Sequence, residues 1–238
     1  MVELGVVTRA LLAIARDGVD DRVLAMRICR ACVDGLDVDG AAISLLTGTV
    51  ARQTLAATDE TAELLEDLQF TLNEGACMEA ASTGSPVLVA DLCHSTEVAR
   101  WPVFAAAVLE RSPVRAVFAL PLQWGAVNLG VLDLYRREPG ALGDEQLRDA
   151  ISTADTAALM MLGLRTDPHH GSLAWLDHAV ASRAEIHQAT GMVSVQLDVS
   201  APEALARMRA HAFVHNRLLI DVARDVVGRR VVFTEGME

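Results

Sequence analysis

Cys77 and Asp133 are polar residues at positions where they could line a ligand pocket. Cys77 lies in a glycine-containing turn just before a helical run, where the helix dipole can favour the thiolate. Asp133 lies inside an apolar strand pattern, on the same face as Leu129 and Val131. A carboxylate there could bind an amine or amide ligand. The alternatives are simple packing for the cysteine and a solvent-facing or backbone-bonded aspartate.

Three aromatic residues and one arginine could complete such a pocket. Trp101, Phe104 and Phe118 would supply an apolar lining, and Arg115, at the start of a predicted strand, would pair with an anion. Core packing explains the aromatic residues equally well. These residue types are therefore compatible with a small-molecule site but do not establish one.

The other cysteines predict neither metal nor redox chemistry. Cys29 and Cys32 form a C-x-x-C pair, but the second ligand pair of a zinc site and a thioredoxin-like context are both missing. Both fall on a predicted helix among apolar neighbours, where free cysteine is commonly buried. Cys93 and His94 are adjacent in sequence, which is poor geometry for joint chelation. We expect no metal and no cofactor.

Cations near the C-terminus could bind RNA. Arg207, His211 and His215 recur every four residues and share one face of a predicted helix. Arg217 opens the next helix, and Arg224 lies two turns further on. Arginine attracts phosphate, and histidine protonation would strengthen the patch at low pH. The alternative is an ordinary solvated polar face of an amphipathic helix.

Charge and motifs exclude several classes of protein. The 238 residues include 32 acidic and 20 basic ones, every basic residue is arginine, and the formal net charge is −12. A global basic field for nucleic acid is therefore absent, as is chemistry that needs lysine, such as a P-loop or a Schiff base. The chain has no nucleophile elbow, no H-E-x-x-H and no paired-carboxylate motif, so we expect no enzyme activity.

Composition favours a soluble protein of a reducing cytoplasm, with no membrane partner. Hydrophobic residues make up 52% of the chain, yet no run approaches the length of a membrane span. Four unevenly spread cysteines do not resemble a secreted disulfide framework. Charged residues interrupt the apolar N-terminus, unlike a signal peptide.

The elements that would position these residues fall into two parts. Residues 1–165 hold 23 acids and 13 arginines, whereas residues 182–232 hold 5 acids and 7 arginines. Pro168 and Gly171 interrupt the helical pattern between the two parts. We therefore place a first domain at 1–165, a linker at 166–172 and a second domain at 173–238.

The first part mixes helices and strands. The predicted strands are 40–48 and 50–57 around a turn at 47–49, 86–90, and a hairpin of 116–123 and 127–135. The predicted helices are an N-terminal helix, 20–34, 60–68 and a long helix after Gly143. Pro121 predicts a bulge or a position that needs no backbone N–H. Both hairpin strands are apolar on nearly both faces, so helices should cover much of the sheet.

The second part is all helical. The predicted helices cover 172–197, a segment that starts at 200, and 218–227. Ser200 and Glu203 have the form of a capping box, and Gly228 is well placed as a C-cap. A seven-residue repeat of apolar positions could form a dimer seam. Its members are Ala179, Ile186 and Val193.

Residues about 20–165 resemble a GAF domain. The matching stretches are 73–77 (NEGAC), 80–87 (AASTGSPV), 90–92 (ADL), 119–122 (ALPL) and 130–135 (GVLDLY). The resemblance implies a central antiparallel sheet with helices and a ligand cleft on one face. The expected pocket residues are Cys77, Asp91, Trp101, Phe104, Arg115, Phe118 and Asp133.

Residues about 173–234 resemble an ANTAR domain, the RNA-binding module of transcription antitermination regulators. The matching positions are 182–193 (SRAEIHQATGMV), Glu203, Ala204, Leu205, Arg209, Ala212, Asn216 and 221–223 (DVA). The resemblance implies a three-helix unit that binds paired stem-loops in nascent mRNA and prevents a terminator hairpin from forming. Thr190 stands where the family usually has lysine, so one cationic contact is lost. The expected RNA-binding residues are Arg207, Arg209, His211, His215, Asn216, Arg217 and Arg224.

Together the resemblances predict an α+β chain that senses a signal and binds mRNA, in a homodimer because two stem-loops suit two modules. The arginine-only, alanine-rich composition resembles that of a high-GC actinobacterium. One alternative is a small-molecule or redox sensor that acts through protein partners and has lost RNA binding. Another is a GAF-type methionine sulfoxide reductase, which would need a resolving cysteine pair that the spacing of Cys77 and Cys93 does not establish.

Overall fold

The computed structural model describes residues 5–14, 21–46, 52–125, 127–166 and 174–234. These residues form two compact units, and the second joins residues 70–73 to the described residues from 174 onward. The first unit is an antiparallel sheet with helices and the second is helical, which confirms the predicted α+β class. The predicted turn at 47–49 lies outside the described residues, and so does the predicted linker apart from residue 166.

The sheet of the first unit has five strands in the order β2-β1-β5-β4-β3, all paired antiparallel. Its strands are β1 Gly40–Leu46, β2 Arg52–Ala57, β3 Val87–Val89, β4 Ala116–Trp124 and β5 Val127–Arg136. The predicted hairpin is therefore confirmed as β4 and β5. Pro121 pairs with Val131, and the register shifts just beyond it, between Leu122 and Gln123.

Seven helices are described in the first unit: α1 Val6–Ile14, α2 Asp21–Leu36, α3 Glu60–Leu72, α4 Ala76–Thr83, α5 Ser95–Arg100, α6 Pro102–Arg111 and α7 Asp144–Thr166. Helix α3 runs past its predicted end at residue 68.

Asp149 of α7 joins the N-terminal helix, α1, to the rest of the unit. Its carboxylate accepts the backbone N–H of Val7 at 3.0 Å, and the N–H and hydroxyl of Thr8 at 3.2 and 2.9 Å. A carboxylate at a helix N-terminus satisfies N–H groups that have no partner within the helix.

Strands β1 and β5 approach each other very closely at Gly130. This glycine pairs with Leu45, and a Cβ at position 130 would lie 2.2 Å from the carbonyl oxygen of Ser44. No side chain can occupy that space without separating the strands. The spacing of the two central strands therefore depends on the absence of a side chain at this position.

The second unit consists of three helices and residues 70–73, around their own apolar core. The helices are α8 Ala174–Leu197, α9 Ala201–Val214 and α10 Leu219–Val227. Buried apolar side chains from all three form the core, among them Ile186, Ala189, Val193, Met208, Ala212, Leu219, Val222 and Val226. At the start of α9 the hydroxyl of Ser200 accepts the N–H of Glu203, as a capping box predicts.

Each helix of the second unit is followed by a non-glycine residue in the left-handed conformation. These residues are Asp198, Asn216 and Arg229, with φ values of 53°, 49° and 56°. After α10, the N–H of Arg230 donates to the carbonyl of Asp225 at 2.8 Å, which is the six-residue bond of a Schellman motif. Gly228 is the C-cap, but its φ is −74°, so the left-handed residue is Arg229.

Two of the three residues of the predicted dimer seam are buried inside the second unit. Ile186 and Val193 are 4% and 0% exposed, because both pack into the core of the second unit itself. The side chain of Ala179 lies outside the described residues. A seven-residue apolar repeat serves an internal helix contact as well as a coiled coil, which is why the pattern could not separate the two.

Candidate functional sites

The loop between α3 and α4 fixes the position of Cys77. Glu74 accepts the N–H groups of Val103 and Phe104 at 3.1 and 3.0 Å, at the start of α6. Gly75 has a φ of 116°, and a Cβ there would meet Oε1 of Gln69 at 2.6 Å. The loop therefore ties two helix N-termini together. It places Cys77 in the first turn of α4, one residue after the helix begins, whereas the sequence predicted a turn just before the helix.

A buried polar cluster joins Cys77 and Asp133, the two residues first singled out in the sequence. The Cys77 sulfur and carboxylate oxygens of Glu66 and Asp133 all lie within 4.8 Å of one another. Glu66 is 1% exposed and Cys77 is completely buried. The structure thus brings together three side chains that can bind a cation, from α3, α4 and β5.

Two further polar residues hold this cluster in place. Gln69 accepts the backbone N–H of Cys77 at 2.8 Å and donates to Glu66 at 3.3 Å. The hydroxyl of Ser44, on β1, donates to the other carboxylate oxygen of Glu66. None of Glu66, Gln69 and Ser44 was predicted from the sequence as a site residue. The available signal was that Glu66 and Gln69 follow Ala62 at i+4 and i+7, on the inward face of α3.

A cavity of about 10 Å³ adjoins the cluster. Its lining includes Glu66, Gln69, Asp133, Phe104 and Val117. Of the three predicted aromatic residues, Phe104 therefore lines the cavity.

The other two predicted aromatic residues do not line this cavity. Trp101 packs edge-on against Phe104, with ring centroids 6.4 Å apart. Phe118 is the neighbour of Val117 on β4, and since side chains alternate along a strand, it faces the other side of the sheet. The guanidinium of Arg136 lies 5.8 Å from the Phe118 ring.

Asp91 and Arg115 form an ion pair with each other and are not among the residues that line the cavity. Both Arg115 Nη2–carboxylate distances are close, at 3.1 and 3.2 Å. The N–H of Cys93 and then the Arg115 guanidinium hold the pKa of Asp91 below its usual value. The anion that Arg115 binds is therefore the carboxylate of Asp91, in the same unit.

Cys29 and Cys32 pack inside the first unit. Both are completely buried on α2, and burial raises the pKa of each thiol well above its ordinary value. The nearby Cys32, Glu66 and Asp133 raise the pKa of Cys29 further. Thiols that stay protonated at neutral pH are poor nucleophiles. Cys93, by contrast, is exposed.

Most of the expected RNA-binding arginines are paired with carboxylates inside the second unit. Arg207 binds Glu203 at 3.1 Å, Arg217 binds Asp225 at 2.6 Å, and Arg224 binds Glu185 at 3.0 Å. Arg209 is half-buried, and burial lowers its pKa. Of these, Arg207 and Arg224 have the more exposed side chains, with 44% and 56% of their surface accessible.

His211 does not lie on the exposed face that the four-residue spacing predicts. It is 7% exposed, and its ring packs against those of His215 and Phe233 at centroid distances of 4.0 and 5.3 Å. Burial, then the neighbouring His215 and Arg217, lower the pKa of His211. The core-facing stripe of α9 is wide enough to include this position. His215 and Asn216 are exposed.

Thr190 is part of the contact between α8 and α9. Its hydroxyl donates to the carbonyl of Ile186 at 2.7 Å and lies 3.8 Å from the sulfur of Met208. The residue that replaces the family's usual lysine therefore serves packing. Gly191, its neighbour, is exposed, and a Cβ there would meet nothing within 4 Å.

Two large apolar residues lie exposed at the end of α9. Phe213 and Val214 are 56% and 62% exposed. Neither was predicted from the sequence, although Phe213 follows the exposed Ala206 and Ala210 at i+7 and i+3. Exposed aromatic residues beside cations are typical of surfaces that bind single-stranded nucleic acid.

Comparisons with known proteins agree with this architecture. Residues 20–161 match the GAF domain family, and the chain belongs to it. Residues 174–227 match the ANTAR domain. An ANTAR domain implies an RNA-binding antitermination regulator, and a GAF domain implies a sensory domain. Among the described residues, no helix has the length and apolarity that crossing a membrane requires.

Solved structures support the fold of the first unit. The GAF domain of a phosphoenolpyruvate-protein phosphotransferase from Coxiella burnetii is 12% identical, with a TM-score of 0.54 over 67% of this chain and 92% of that one. A phycocyanobilin-bound GAF domain from a cyanobacterial phytochrome is 13% identical, with a TM-score of 0.52 over 69% of this chain and 96% of that one. At these identities the likeness shows the fold alone. The comparison with curated proteins returns no match.

Proposed function

We propose that this chain is a cytoplasmic, signal-responsive regulator whose second unit binds mRNA stem-loops and promotes antitermination. Its first unit senses a ligand and performs no turnover. The observation that carries the RNA part is the exposed surface of α9, which presents Arg207 at one end and Phe213 at the other. The ANTAR match supports the choice of RNA as the partner.

The two ends of this surface suit two different parts of an RNA hairpin. Arg207 can attract phosphate after exchanging its exposed partner Glu203, since a pair of this kind contributes little in water. Phe213, with His215 and Asn216 beyond it, can stack on and hydrogen-bond to bases that a loop splays outward. Ala206 and Ala210 are also exposed on α9, and their small side chains let an RNA backbone approach the helix.

The charge of the chain makes each of these contacts important. With a net charge of −12, the protein as a whole repels RNA, so affinity must come from the few cations that reach phosphate. Arg207 and Arg217 are proposed as phosphate contacts, and Phe213 as a base contact. Loss of a phosphate contact lowers the salt slope, whereas loss of a stacking contact lowers affinity at an unchanged salt slope.

The test is RNA binding by the full chain and matched variants. RNA ligands are selected from a library of paired stem-loops with randomised loops, and their affinity is titrated over a series of salt concentrations. Arg207→Ala should weaken binding to every ligand and reduce the salt slope by about 0.7–0.9. Arg148→Ala, an exposed arginine of the first unit with the same charge change, should leave both unchanged.

Phe213→Ala in the same titration should weaken binding by about 1–3 kcal/mol if one base stacks on the ring, and should leave the salt slope unchanged because the ring carries no charge. Selection that recovers no RNA ligand would contradict the proposal. It would instead favour the second candidate, a sensor that acts through protein partners. For that candidate, the exposed Phe213 and Val214 would be the contact surface.

We also propose that the active form is a homodimer, because paired stem-loops suit two RNA-binding units. The buried Ile186 and Val193 exclude the seven-residue seam as its basis. Sedimentation equilibrium of the full chain, alone and with a paired stem-loop, measures the stoichiometry. A complex with one chain on two stem-loops would exclude this form.

A further inference from the structure

We propose that Glu66, Cys77 and Asp133 bind one divalent first-row transition-metal ion, such as Zn²⁺ or Fe²⁺, inside the first unit. The three side chains come from α3, α4 and β5, and their ligand atoms lie within 4.8 Å of one another. The sequence predicted no metal site, because only the fold brings residues 66, 77 and 133 together.

The ligand types select the class of metal. A cysteine thiolate with two carboxylates suits a borderline ion such as Zn²⁺ or Fe²⁺, whereas Mg²⁺ and Ca²⁺ prefer oxygen ligands alone. Bonds of about 2.3 Å to sulfur and 2.1 Å to oxygen place neighbouring ligand atoms about 3.6 Å apart in a tetrahedral site. The observed limit of 4.8 Å therefore requires side-chain shifts of about 1 Å and no change of fold.

The surroundings hold two of the three ligands in position. Ser44 and Gln69 each donate a hydrogen bond to Glu66, one to each carboxylate oxygen, and so orient this carboxylate. Gln69 also binds the backbone N–H of Cys77, which fixes the first turn of α4. Partners of this kind orient ligands and are a regular part of metal sites.

The size of the cavity distinguishes a metal ion from an organic ligand. The cavity that Glu66 and Asp133 line measures about 10 Å³, which is about the space for one water molecule or one ion. Pockets for small molecules span about 300–1,000 Å³. An amine ligand at Asp133, the sequence-based alternative, would have to displace packed side chains such as Phe104 and Tyr135.

Metal binding itself does not depend on the proposed RNA function. The role of the metal as the signal that the first unit senses does rest on that function. Binding would pull α3, α4 and β5 together by shortening the distances between their side chains. The three ligands supply three bonds, so a tetrahedral ion would keep one position for water or a small exogenous ligand.

The first experiment measures metal binding by the full chain. Protein purified in chelator is titrated with Co²⁺ under reducing conditions, and bound metal is counted by elemental analysis after desalting. We expect one equivalent of Co²⁺ and a sulfur-to-cobalt charge-transfer band, with competition by Zn²⁺ but not by Mg²⁺. Fewer than about 0.1 equivalents of each of Co²⁺, Zn²⁺ and Fe²⁺ would overturn the proposal. This result is read on the wild-type protein, so it does not depend on whether a variant folds.

Variants then locate the site. Cys77→Ser should remove the charge-transfer band, and Glu66→Gln should abolish stoichiometric binding. Ser44→Ala, which removes a hydrogen bond to Glu66, should weaken affinity about 10–100-fold. Cys93→Ser, at an exposed cysteine outside the cluster, is the matched control and should bind as the wild type does. A charge-transfer band that persists in Cys77→Ser but disappears in Cys93→Ser would overturn the assignment.

A final measurement separates the metal site from the RNA function. RNA affinity of the full chain is compared with and without bound metal. RNA binding that is detectable in both states, together with no stoichiometric metal, would overturn the metal site and leave the RNA proposal standing. Stoichiometric metal with no RNA binding would support the site and overturn only its role as an RNA-linked signal.

Discussion

The guanidinium of Arg217 donates to the carboxylate of Asp225 at 2.6 Å, so one of the cations expected to bind RNA is already paired within its own unit. Arg230 binds the other oxygen of the same carboxylate at 2.5 Å. The two arginines, Arg230 first, keep the pKa of Asp225 below its usual value. Asp225 therefore stays charged and competes with phosphate for both arginines.

Removal of the Asp225 charge should strengthen RNA binding. In Asp225→Asn, the proposed phosphate contact of Arg217 no longer competes with a carboxylate, and Arg230, where it gains a phosphate contact, should steepen the salt slope by about 0.7–0.9. Asp198→Asn is the control, because it changes the net charge equally at a left-handed position that asparagine tolerates. An equal gain in affinity in both variants would mean that only net charge matters.

The stability of the second unit should fall as the pH drops below about 6.5, because of His211. Its folded-state pKa is lowered by burial, so between that value and the unfolded value the unfolded chain binds more protons. The stabilisation is fully present above the unfolded pKa and is lost as the pH falls, at no more than about 1.4 kcal/mol per pH unit. Urea unfolding from pH 7.5 to 5.5 measures it.

His211→Gln is the variant that assigns this effect. It keeps a polar side chain of similar length but cannot titrate, so its pH dependence should be flatter than that of the wild type. His187→Gln, at an exposed histidine of α8, should retain the full pH dependence. Equal slopes in all three proteins would show that His211 is not responsible.

Gly191→Ala should stabilise the second unit. Gly191 lies exposed within α8, and the added methyl group would have no neighbouring atom within 4 Å. Alanine costs about 0.8–1.0 kcal/mol less than glycine in a helix interior. Thermal unfolding followed by circular dichroism should show a higher Tm, and a lower Tm would mean that the position makes a contact in the folded chain.

Arg229→Gly should also be stabilising, by about 1 kcal/mol. Arg229 occupies a left-handed conformation with a φ of 56°, which costs a residue with a Cβ about 1–2 kcal/mol. Arg229→Ala keeps the Cβ and so serves as the control, which should not gain this stability. If alanine and glycine raise the unfolding free energy equally, loss of the arginine charge is the cause.

The sheet and long helices could be predicted because their signals are local. Apolar runs and turn residues indicated β4 and β5, and regular apolar spacing indicated α7. The polar cluster was only half predictable. Cys77 and Asp133 attract attention as polar residues in apolar stretches, whereas Glu66 resembles an ordinary surface residue of an acidic helix. Only the three-dimensional packing shows that Glu66 points inward.

On α9, a residue that the sequence predicted to be part of an RNA-binding surface is buried. Spacing alone put His211 on the same face as Arg207 and His215, since residues four apart lie close on a helix. The structure buries His211 and leaves Arg207 and His215 exposed. A helix that packs at its C-terminal end against further chain, here Phe233, buries more of its circumference there than at its start. Periodicity carries no information about such a contact.

The close approach of β1 and β5 at Gly130 makes this position intolerant of sequence variation. Any side chain would push against the carbonyl of Ser44, the residue whose hydroxyl binds Glu66. A saturation library scored for folded protein should therefore recover glycine alone at position 130, while the open position 191 accepts most residues. The absence of a side chain at position 130 thus limits how far the amino-acid sequence of this sheet, and of the polar cluster beside it, can vary.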